Sequence, residues 1–338
     1  MRILSLYSRR GDSTSFYRGV LPINELCKLD RSIEIVEREK LSWADLANID
    51  LVFYQRPHTE NAQQVIEICK NNNKKVVIDH DDLLSSVPKA NPFHLANKDV
   101  DYKKMYKDII QSVDGFILST DYMLNSLNEF RYIKPETKTC VVNNGFNDYL
   151  FKLENKFSNY NKSILWRGSN THNVDFEPYK NDLLKLIKDN QDFTFIFIGF
   201  IPFKEMSKMQ NVIYKETMDP IYYMKAIRDL EPSLGFYPLL DIPFNHAKSN
   251  IYKIEMTYAG AVVMNPQGEE WKWNSKEEFF INKKTFLNKT NIVMDMIRNK
   301  DERIKEEYDN NYQYLKDNYL LSNLNKQRLE FFRSFIDG

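Results

Sequence analysis

The sequence contains little cysteine and no long run of apolar residues. Its three cysteines, Cys27, Cys69 and Cys140, lie far apart in a chain of 338 residues. That number and spacing argue against a disulfide framework and a cysteine-rich zinc site, and they favour a reducing, cytoplasmic environment. No apolar run approaches the roughly 20 residues of a membrane-spanning helix, and the short apolar start is not typical of a signal peptide.

An excess of charge of one sign is also absent. The 47 basic residues balance 47 acidic ones, whereas a protein dedicated to nucleic acid usually carries a surplus of positive charge. Glycine is scarce, at 10 residues, and the patterns GxGxxG, GxxxxGKS/T and GxSxG do not occur. Their absence disfavours a nicotinamide-binding Rossmann site, a P-loop kinase and a hydrolase with a nucleophile elbow.

The chain does contain enough apolar material for a large core. Hydrophobic residues make up 42% of the sequence and aromatic residues 14%, which is far more aromatic content than a disordered chain carries. At about 150 residues per domain, the length indicates two domains.

Strand and helix patterns alternate along the chain. Short apolar runs are typical of buried strands, and segments with apolar residues three and four apart are typical of helices. Strands are predicted at 2–7, 33–36, 49–54, 75–79, 115–119, 139–142, 163–166, 193–197, 212–214, 234–237 and 261–264. Helices are predicted at 16–28, 62–70, 102–113, 121–130, 179–189, 221–230 and 250–258. This alternation predicts the α/β class, with two doubly wound, Rossmann-like domains facing a cleft.

The polar stretch 155–162 (NKFSNYNK) is typical of a linker between domains. It places a first domain at 1–155 and a second at 156–318. Apolar residues at intervals of three, four and seven between positions 297 and 319 predict one long helix. A further helical pattern follows in the last segment, 319–338.

In the second half, cationic and small polar residues lie where strands end or helices begin. Arg167 follows a strand directly, and Lys248 precedes a predicted helix that Ser249 or Asn250 can cap. A helix N-terminus with a nearby lysine suits a phosphate group. Glycines mark four strand exits, where close approach of a ligand is common: Gly11, Gly145, Gly168 and Gly199.

In the first half, the run Asp79-His80-Asp81-Asp82 ends a strand. We interpret His80 as a base or as a hydrogen-bond donor to a sugar hydroxyl. Metal binding by this run is disfavoured, because consecutive residues in an extended chain cannot all face one ion. Arg56 ends another buried strand at the same edge.

Several segments resemble the retaining GT-B glycosyltransferases of the glycogen-synthase-like, "group 1" class. The resemblance is carried by SFYRGVLPINEL, VVIDHDDLL, DGFILSTDYM, VVNNGFN, ILWRGSNTHNVD and KSNIYKIEMTYAGAVVMNP, in that order. It implies that Glu255 contacts the ribose of a nucleotide and that Arg167 and Lys248 hold the diphosphate. The family's pattern of two glutamates is incomplete, since Ala247 stands eight positions before Glu255.

The resemblance implies a sugar transfer from a nucleotide-diphosphate sugar, with a UDP-sugar preferred, to an acceptor hydroxyl. It also implies retention of configuration, no bound metal and a C-terminal helix that crosses back to the first domain. A phage-encoded protein, acting in the host cytoplasm, fits the same pattern. The predicted catalytic residues are His80, Arg167 and Lys248. The predicted donor site comprises Gly168, Ser169, Thr171, Asn245, Ser249, Asn250 and Glu255. The predicted acceptor side comprises Arg10, Gly11, Tyr17, Arg18, Arg56, Asp81, Asn144 and Gly145.

The acceptor stays open between a polysaccharide, a protein and a modified base in DNA. Glycosylation of hydroxymethylated bases is a distinct class, because it needs a nucleic-acid groove and access to a base. A sugar-nucleotide epimerase of similar architecture is a further alternative. A non-catalytic protein that binds a nucleotide sugar is another, because fold does not fix function.

Overall fold

Two parallel β-sheets of six strands each organise the computed structural model, which describes residues 1–7, 11–96 and 101–336. In the first sheet the strands run in the order β2-β1-β3-β4-β5-β6. Their bounds are β1 (Arg2–Tyr7), β2 (Glu34–Arg38), β3 (Leu51–Gln55), β4 (Lys75–His80), β5 (Gly115–Leu118) and β6 (Lys138–Val141). The second sheet has the order β12-β11-β10-β7-β8-β9. Its strands are β7 (Ser163–Arg167), β8 (Thr194–Ile198), β9 (Val212–Lys215), β10 (Leu234–Phe236), β11 (Val262–Pro266) and β12 (Phe280–Ile281).

Helices cover both faces of each sheet, as buried parallel strands require. In the first half they are α1 (Leu21–Leu29), α2 (Trp43–Leu46), α3 (Glu60–Asn71), α4 (Pro92–Ala96), α5 (Tyr102–Ser112) and α6 (Asp121–Glu129). The rest are α7 (Asn173–Phe176), α8 (Lys180–Asp189), α9 (Pro220–Leu230), α10 (Pro243–His246), α11 (Ile251–Ala259), α12 (Phe286–Arg298), α13 (Glu302–Asn318) and α14 (Leu321–Arg333). A π-helix spans Ser15–Val20, and 3₁₀ turns span Leu84–Ser86, Asn170–His172, Glu177–Tyr179, Lys204–Lys208, Glu269–Trp271 and Glu277–Phe279.

The predicted α/β class is confirmed, and the differences in elements have local causes. The predicted helix 16–28 is divided into a π-helix and α1, where Pro22 lacks the amide hydrogen that would continue an α-helical ladder. The predicted long helix near the C-terminus is two helices, because Asp301 caps α13 by accepting from the amide of Arg303. The sequence patterns also missed α12 over most of its length, and strand β12.

Gly260 ends α11, as predicted. Its φ of +99° lies in the left-handed region, and a Cβ there would lie 2.4 Å from the carbonyl oxygen of Lys156. A glycine is therefore required by both backbone conformation and space.

The second sheet has the doubly wound order 3-2-1-4-5-6 when its strands are numbered from β7. The chain reverses direction across this sheet between β7 and β10. Ligands of such sheets bind beyond the carboxyl ends of the strands at this switch point. The residues that follow β7 and β10 are therefore expected to border a site.

The last helix packs on the first sheet although it follows the second in sequence. Leu324, Leu329 and Phe332 join the apolar cluster on one face of the first sheet, and the rings of Phe332 and Phe53 lie 5.8 Å apart. Asn325 donates to the carbonyl oxygen of Pro22 at 2.8 Å. The limits 1–155, 156–318 and 319–338 stay a prediction, and α14 is where the chain returns to the first sheet. Among the described residues, no helix is long and apolar enough to cross a membrane.

We expect Phe332→Ala to lower the free energy of unfolding by about 3–5 kcal/mol, the usual cost of removing a buried phenyl ring. Phe332 is fully buried. Gln327→Ala on the exposed side of α14 is the control and should change stability by less than about 0.5 kcal/mol. Urea unfolding curves of the two variants measure the difference. If Phe332→Ala were as stable as Gln327→Ala, the packing of Phe332 would not contribute to the stability of the fold.

Candidate active site

A cavity of about 400 Å³ lies between the two sheets, at the carboxyl ends of their strands. Segments that follow β1, β3, β4 and β6 line one wall, and segments that follow β7, β8, β9 and β10 line the other. Twelve of the predicted site residues line it: Tyr17, Arg56, Asp81, Asn144, Arg167, Gly168, Ser169, Thr171, Asn245, Lys248, Ser249 and Glu255.

Glu255 is a buried carboxylate of the cavity wall that accepts three hydrogen bonds. It is 1% exposed, and one oxygen accepts from Nε of Arg167 at 2.6 Å and from the hydroxyl of Tyr223 at 3.0 Å. The other oxygen accepts from the hydroxyl of Tyr17, which belongs to the first half of the chain, at 2.8 Å. The carboxylate therefore joins the two walls of the cavity.

The charges of this cluster are fixed by its contacts. Burial disfavours the guanidinium of Arg167, but the charge and hydrogen bond of Glu255, together with Tyr223 and Tyr237, outweigh burial and hold the pKa of Arg167 well above its usual value. Burial, and then the Glu255 charge, raise the pKa of Tyr17 and Tyr223. Both tyrosines are therefore neutral hydrogen-bond donors to the carboxylate of Glu255.

Lys248 supplies a second cation to the same cavity. Its Nζ lies 3.7 Å from the carboxylate of Asp82 and 4.6 Å from the centre of the Phe244 ring. Burial disfavours its ammonium group, but Asp82, together with smaller contributions from Tyr237, Asp175 and Asp81, outweighs this effect, so the pKa of Lys248 is raised. An anionic ligand could replace Asp82 as the partner of this lysine.

The start of α11 differs in detail from the prediction. Ser249 lines the cavity, but its hydroxyl accepts from the amide of Asn144 at 2.6 Å and does not cap the helix. Asn250 is buried, and its amide donates to the carbonyl oxygen of Glu270 and to the hydroxyl of Tyr319, both at 2.8 Å. Asn250 therefore lies behind the wall, where it ties α11 to the C-terminal part of the chain.

The glycines after β7 and β8 allow the backbone to approach closely. Gly199 has a φ of +86°, and a Cβ there would lie 2.6 Å from the carbonyl oxygen of Gly168. Ser169 and Thr171 follow, with their hydroxyl oxygens 2.7 Å apart. These small polar residues form the floor of the cavity on the second sheet.

A hydrogen-bonded histidine–aspartate pair lines the cavity, and the sequence analysis missed it. Nδ1 of His172 lies 2.9 Å from Asp175, and Nε2 lies 3.2 Å from the hydroxyl of Tyr237. The predicted donor residue Asn245 serves this pair, because its amide donates to Asp175 at 2.7 Å and to the carbonyl oxygen of Leu240 at 3.1 Å. The spacing of three residues between His172 and Asp175, directly after a strand exit, was the available signal. Tyr223 and Tyr237 gave none, since single tyrosines in such patterns are usually core residues.

Arg56 and two aspartates form the opposite wall. Arg56 donates to Asp82 at 2.9 Å, and its guanidinium lies 3.6 Å from Asp81. Burial raises the pKa of Asp81 to about 6, against the opposing effect of Arg56. For Asp82 the balance between burial and neighbouring charges is the opposite. Lys248 and Arg56 together outweigh burial, and the pKa of Asp82 is lowered.

The structure does not bring every predicted site residue to the cavity. His80 is fully buried against the rings of Tyr106 and Phe116, and burial lowers its pKa well below the usual value. This environment disagrees with the predicted role of His80 as a base or sugar ligand, because alternation along β4 directs it into the apolar layer. Gly11 and Gly145 are not cavity-lining residues either; a Cβ on Gly145 would lie 2.8 Å from Leu324 of α14. Arg10 lies outside the described residues.

Arg18 is also a structural residue in this fold. It is 1% exposed and forms two hydrogen bonds to the carboxylate of Asp79, at 2.7 and 2.9 Å. A third bond reaches the carbonyl oxygen of Val142 at 2.5 Å. This buried ion pair fixes the π-helix to β4 and explains why Arg18 does not line the cavity.

The side chains of the Asp79–Asp82 run do not converge. Asp79 binds Arg18, His80 faces the apolar layer, and Asp81 and Asp82 border the cavity. Within 1–7, 11–96 and 101–336, no group of three or more His, Cys, Asp or Glu residues could hold a metal ion.

We expect Arg18→Met to lower the free energy of unfolding by about 3–5 kcal/mol, because it leaves Asp79 buried without its charged partner. The double variant Arg18→Met/Asp79→Leu should recover most of that loss. Chemical denaturation measures both. A single variant that keeps full stability and loses only ligand binding would instead support the predicted acceptor role.

The raised pKa of Asp81 gives a pH test. A carboxyl group that holds its proton more tightly in the folded state stabilises the fold below pH 4, and this contribution is lost as the pH rises to about 6. Relative to wild type, Asp81→Asn should therefore gain of the order of 2 kcal/mol in unfolding free energy between pH 4 and pH 7. Unfolding curves at both pH values measure this gain, and an unchanged difference would contradict the raised pKa.

Comparison with known proteins shows a shared fold without close sequence similarity. No family model and no curated protein matches the sequence. HepE from Anabaena, solved in complex with UDP, matches with a TM-score of 0.65 and 14% identity over 99% of this chain and 100% of that chain. Sucrose-phosphate synthase from Thermosynechococcus elongatus matches with a TM-score of 0.70 and 12% identity over 99% of each chain. A glycosyltransferase from Rickettsia africae matches with a TM-score of 0.63 and 12% identity, over 99% and 98% of the two chains. These structural neighbours are GT-B glycosyltransferases, and the chain has the GT-B fold.

Proposed function

We propose that the chain is a glycosyltransferase that moves a sugar from a nucleotide-diphosphate sugar to an acceptor hydroxyl, with retention of configuration. One observation carries the proposal: two cationic side chains, Arg167 and Lys248, line a cavity between two Rossmann-like units. A leaving diphosphate carries the negative charge that such cations stabilise, and this kind of stabilisation is usually the largest catalytic contribution.

A UDP-sugar is the donor that we propose first. The structural neighbour HepE was solved with UDP and also with UDP-glucose, and it covers this chain almost completely. In this chain Glu255 would accept from the ribose hydroxyls after releasing Tyr17. Arg167 and Lys248 would hold the two phosphates, next to the amides at the start of α11.

The acceptor would enter from the wall formed by the first sheet. Arg56 and Asp81 offer a donor and an acceptor of hydrogen bonds there, and Val87, Pro88 and Phe93 add an apolar surface. Apolar and polar groups side by side suit a sugar, which presents both C–H faces and hydroxyls. We therefore propose a carbohydrate hydroxyl, in preference to a base in DNA, as the acceptor.

Thermal unfolding with UDP-, GDP-, ADP-, CMP- and dTDP-sugars tests the donor site. A ligand at 100 times its Kd stabilises a protein by about 2.7 kcal/mol, which raises the Tm by a few degrees. We expect a UDP-sugar to give this shift and Lys248→Met to abolish it.

The matched control is Lys225→Met, which removes an exposed lysine from α9 and should keep the full shift. A panel in which no nucleotide sugar stabilises the protein would contradict the proposed function. A shift that Lys248→Met retains would move the donor away from this cavity.

Measurement of turnover distinguishes the proposed enzyme from a non-catalytic protein that binds a nucleotide sugar. A glycosyltransferase releases the nucleoside diphosphate when an acceptor is added, and proton NMR of the new glycosidic linkage reports its anomeric configuration. Binding of a donor without release of UDP across a panel of oligosaccharide acceptors would favour the alternative of a binding protein.

A further inference from the structure

The cavity contains a connected polar chain that runs from Asn245 through Asp175 and His172 to Tyr237. All four residues are buried and all four line the cavity. His172 is the one histidine among the cavity-lining residues. This polar chain of side chains connects the end of β7 to the end of β10, the two strands on either side of the switch point of the second sheet.

The orientation of the His172 ring is fixed from both sides. Asp175 accepts from Nδ1 at 2.9 Å, and the backbone amide of Leu240 and the side chain of Asn245 hold the other oxygen of Asp175. Burial raises the pKa of Asp175, but the hydrogen bond and charge of His172, together with Lys248 and Asn245, outweigh burial and lower the pKa. Asp175 is therefore an ionised acceptor, so Nδ1 carries a hydrogen and Nε2 is the position that gains or loses a proton.

The charges around His172 oppose its protonation in the absence of a ligand. Burial lowers the pKa of His172, and Lys248 and Arg167 lower it further, against Asp175. Asp82, on the other wall of the cavity, interacts with His172, which contributes to the lowered pKa of Asp82. A diphosphate bound to Arg167 and Lys248 would add negative charge and thereby reverse this balance.

Tyr237 connects this protonation to the ligand. When Nε2 of His172 is unprotonated, the Tyr237 hydroxyl donates a hydrogen bond to it at 3.2 Å. When Nε2 carries a proton, it donates to the Tyr237 oxygen, and the hydroxyl hydrogen is free to turn towards the cavity. Protonation of His172 thus converts Tyr237 from a donor to the histidine into a donor to a ligand.

We propose that His172 is a catalytic acid of the donor site: it takes up one proton when the diphosphate binds and delivers it through Tyr237 to the departing diphosphate. During transfer the bond between the anomeric carbon and the phosphate oxygen breaks, and that oxygen keeps the electron pair. It accepts the Tyr237 proton, while Tyr237 accepts the Nε2 proton. The acceptor oxygen bonds to the anomeric carbon and releases its own proton to water. Asp175 and Asn245 are positioning residues, and the inference depends on the proposed function.

Calorimetric titration of the protein with UDP-glucose at pH 7.5 tests the proton uptake. The phosphates of UDP-glucose do not titrate near neutral pH, so any proton that is taken up binds to the protein. The binding enthalpy is measured in HEPES and Tris buffers, whose ionisation enthalpies differ, and its slope against ionisation enthalpy counts the protons. We expect uptake of up to about one proton and a Kd that rises by up to about tenfold per pH unit above neutrality.

His172→Gln should bind UDP-glucose without proton uptake, so the slope of its binding enthalpy against buffer ionisation enthalpy should be near zero. Its Kd for UDP-glucose should not depend on pH. Asp81→Asn is the matched control, because Asp81 is a second titratable group of the cavity, with its pKa raised to about 6; this variant should retain the full slope. Asp175→Asn should reduce the slope, and it serves as a second test if His172→Gln does not fold.

The outcomes separate the two claims. A slope that persists in His172→Gln, or that disappears in Asp81→Asn, would overturn the role of His172 while leaving the donor site intact. Binding of UDP-glucose to wild type with no proton uptake would do the same. Failure of wild type to bind UDP-glucose contradicts the proposed UDP-sugar donor and also overturns this inference.

Discussion

The ion pair between Arg167 and Glu255 is the interaction on which the site depends. Glu255 is buried and Arg167 is half-buried at the carboxyl end of the second sheet, and loss of either partner would leave the other charge without compensation, at a cost of about 3–5 kcal/mol. Each sits on a different element, Arg167 at the end of β7 and Glu255 inside α11. The pair therefore fixes α11 against the sheet. The Tyr17 hydroxyl extends this contact to the other half of the chain at 2.8 Å, so the position of one wall of the cavity is linked to the other.

The remaining charges of the cavity follow the same rule of pairing. Lys248 faces Asp82, and Arg56 faces Asp81 and Asp82. These pairs hold the cations in place before any ligand arrives, which reduces the reorganisation needed when a phosphate binds. They also mean that an anionic ligand must exchange partners with carboxylates of the first wall. Domain movement around the cleft is a physical route to this exchange, because the exchanging partners belong to opposite walls.

Part of the fold and part of the candidate site could be predicted from the order of residues along the chain. Alternating strand and helix patterns predicted the two sheets, a strand exit predicted Arg167, and a predicted helix start predicted Lys248. The family resemblance added Glu255. His80 and Arg18 were placed in the site because position along the chain does not say which face of a strand or helix a side chain takes. His80 faces an apolar layer and Arg18 faces Asp79. The pattern in the C-terminal region identified the buried face of its helices but not the break at Asp301.

The sequence by itself determined the class of fold, the scarcity of metal-binding and disulfide chemistry in its motifs, and the cationic residues of the second half. These features depend on local patterns, in which spacing alone decides the periodicity of burial. Only the tertiary structure decided that Tyr17 reaches Glu255, that Asn245 serves Asp175 and that His172 meets Tyr237. Those partners are 238, 70 and 65 residues apart. Contacts at such separations arise from how the sheets pack, and no local pattern encodes them.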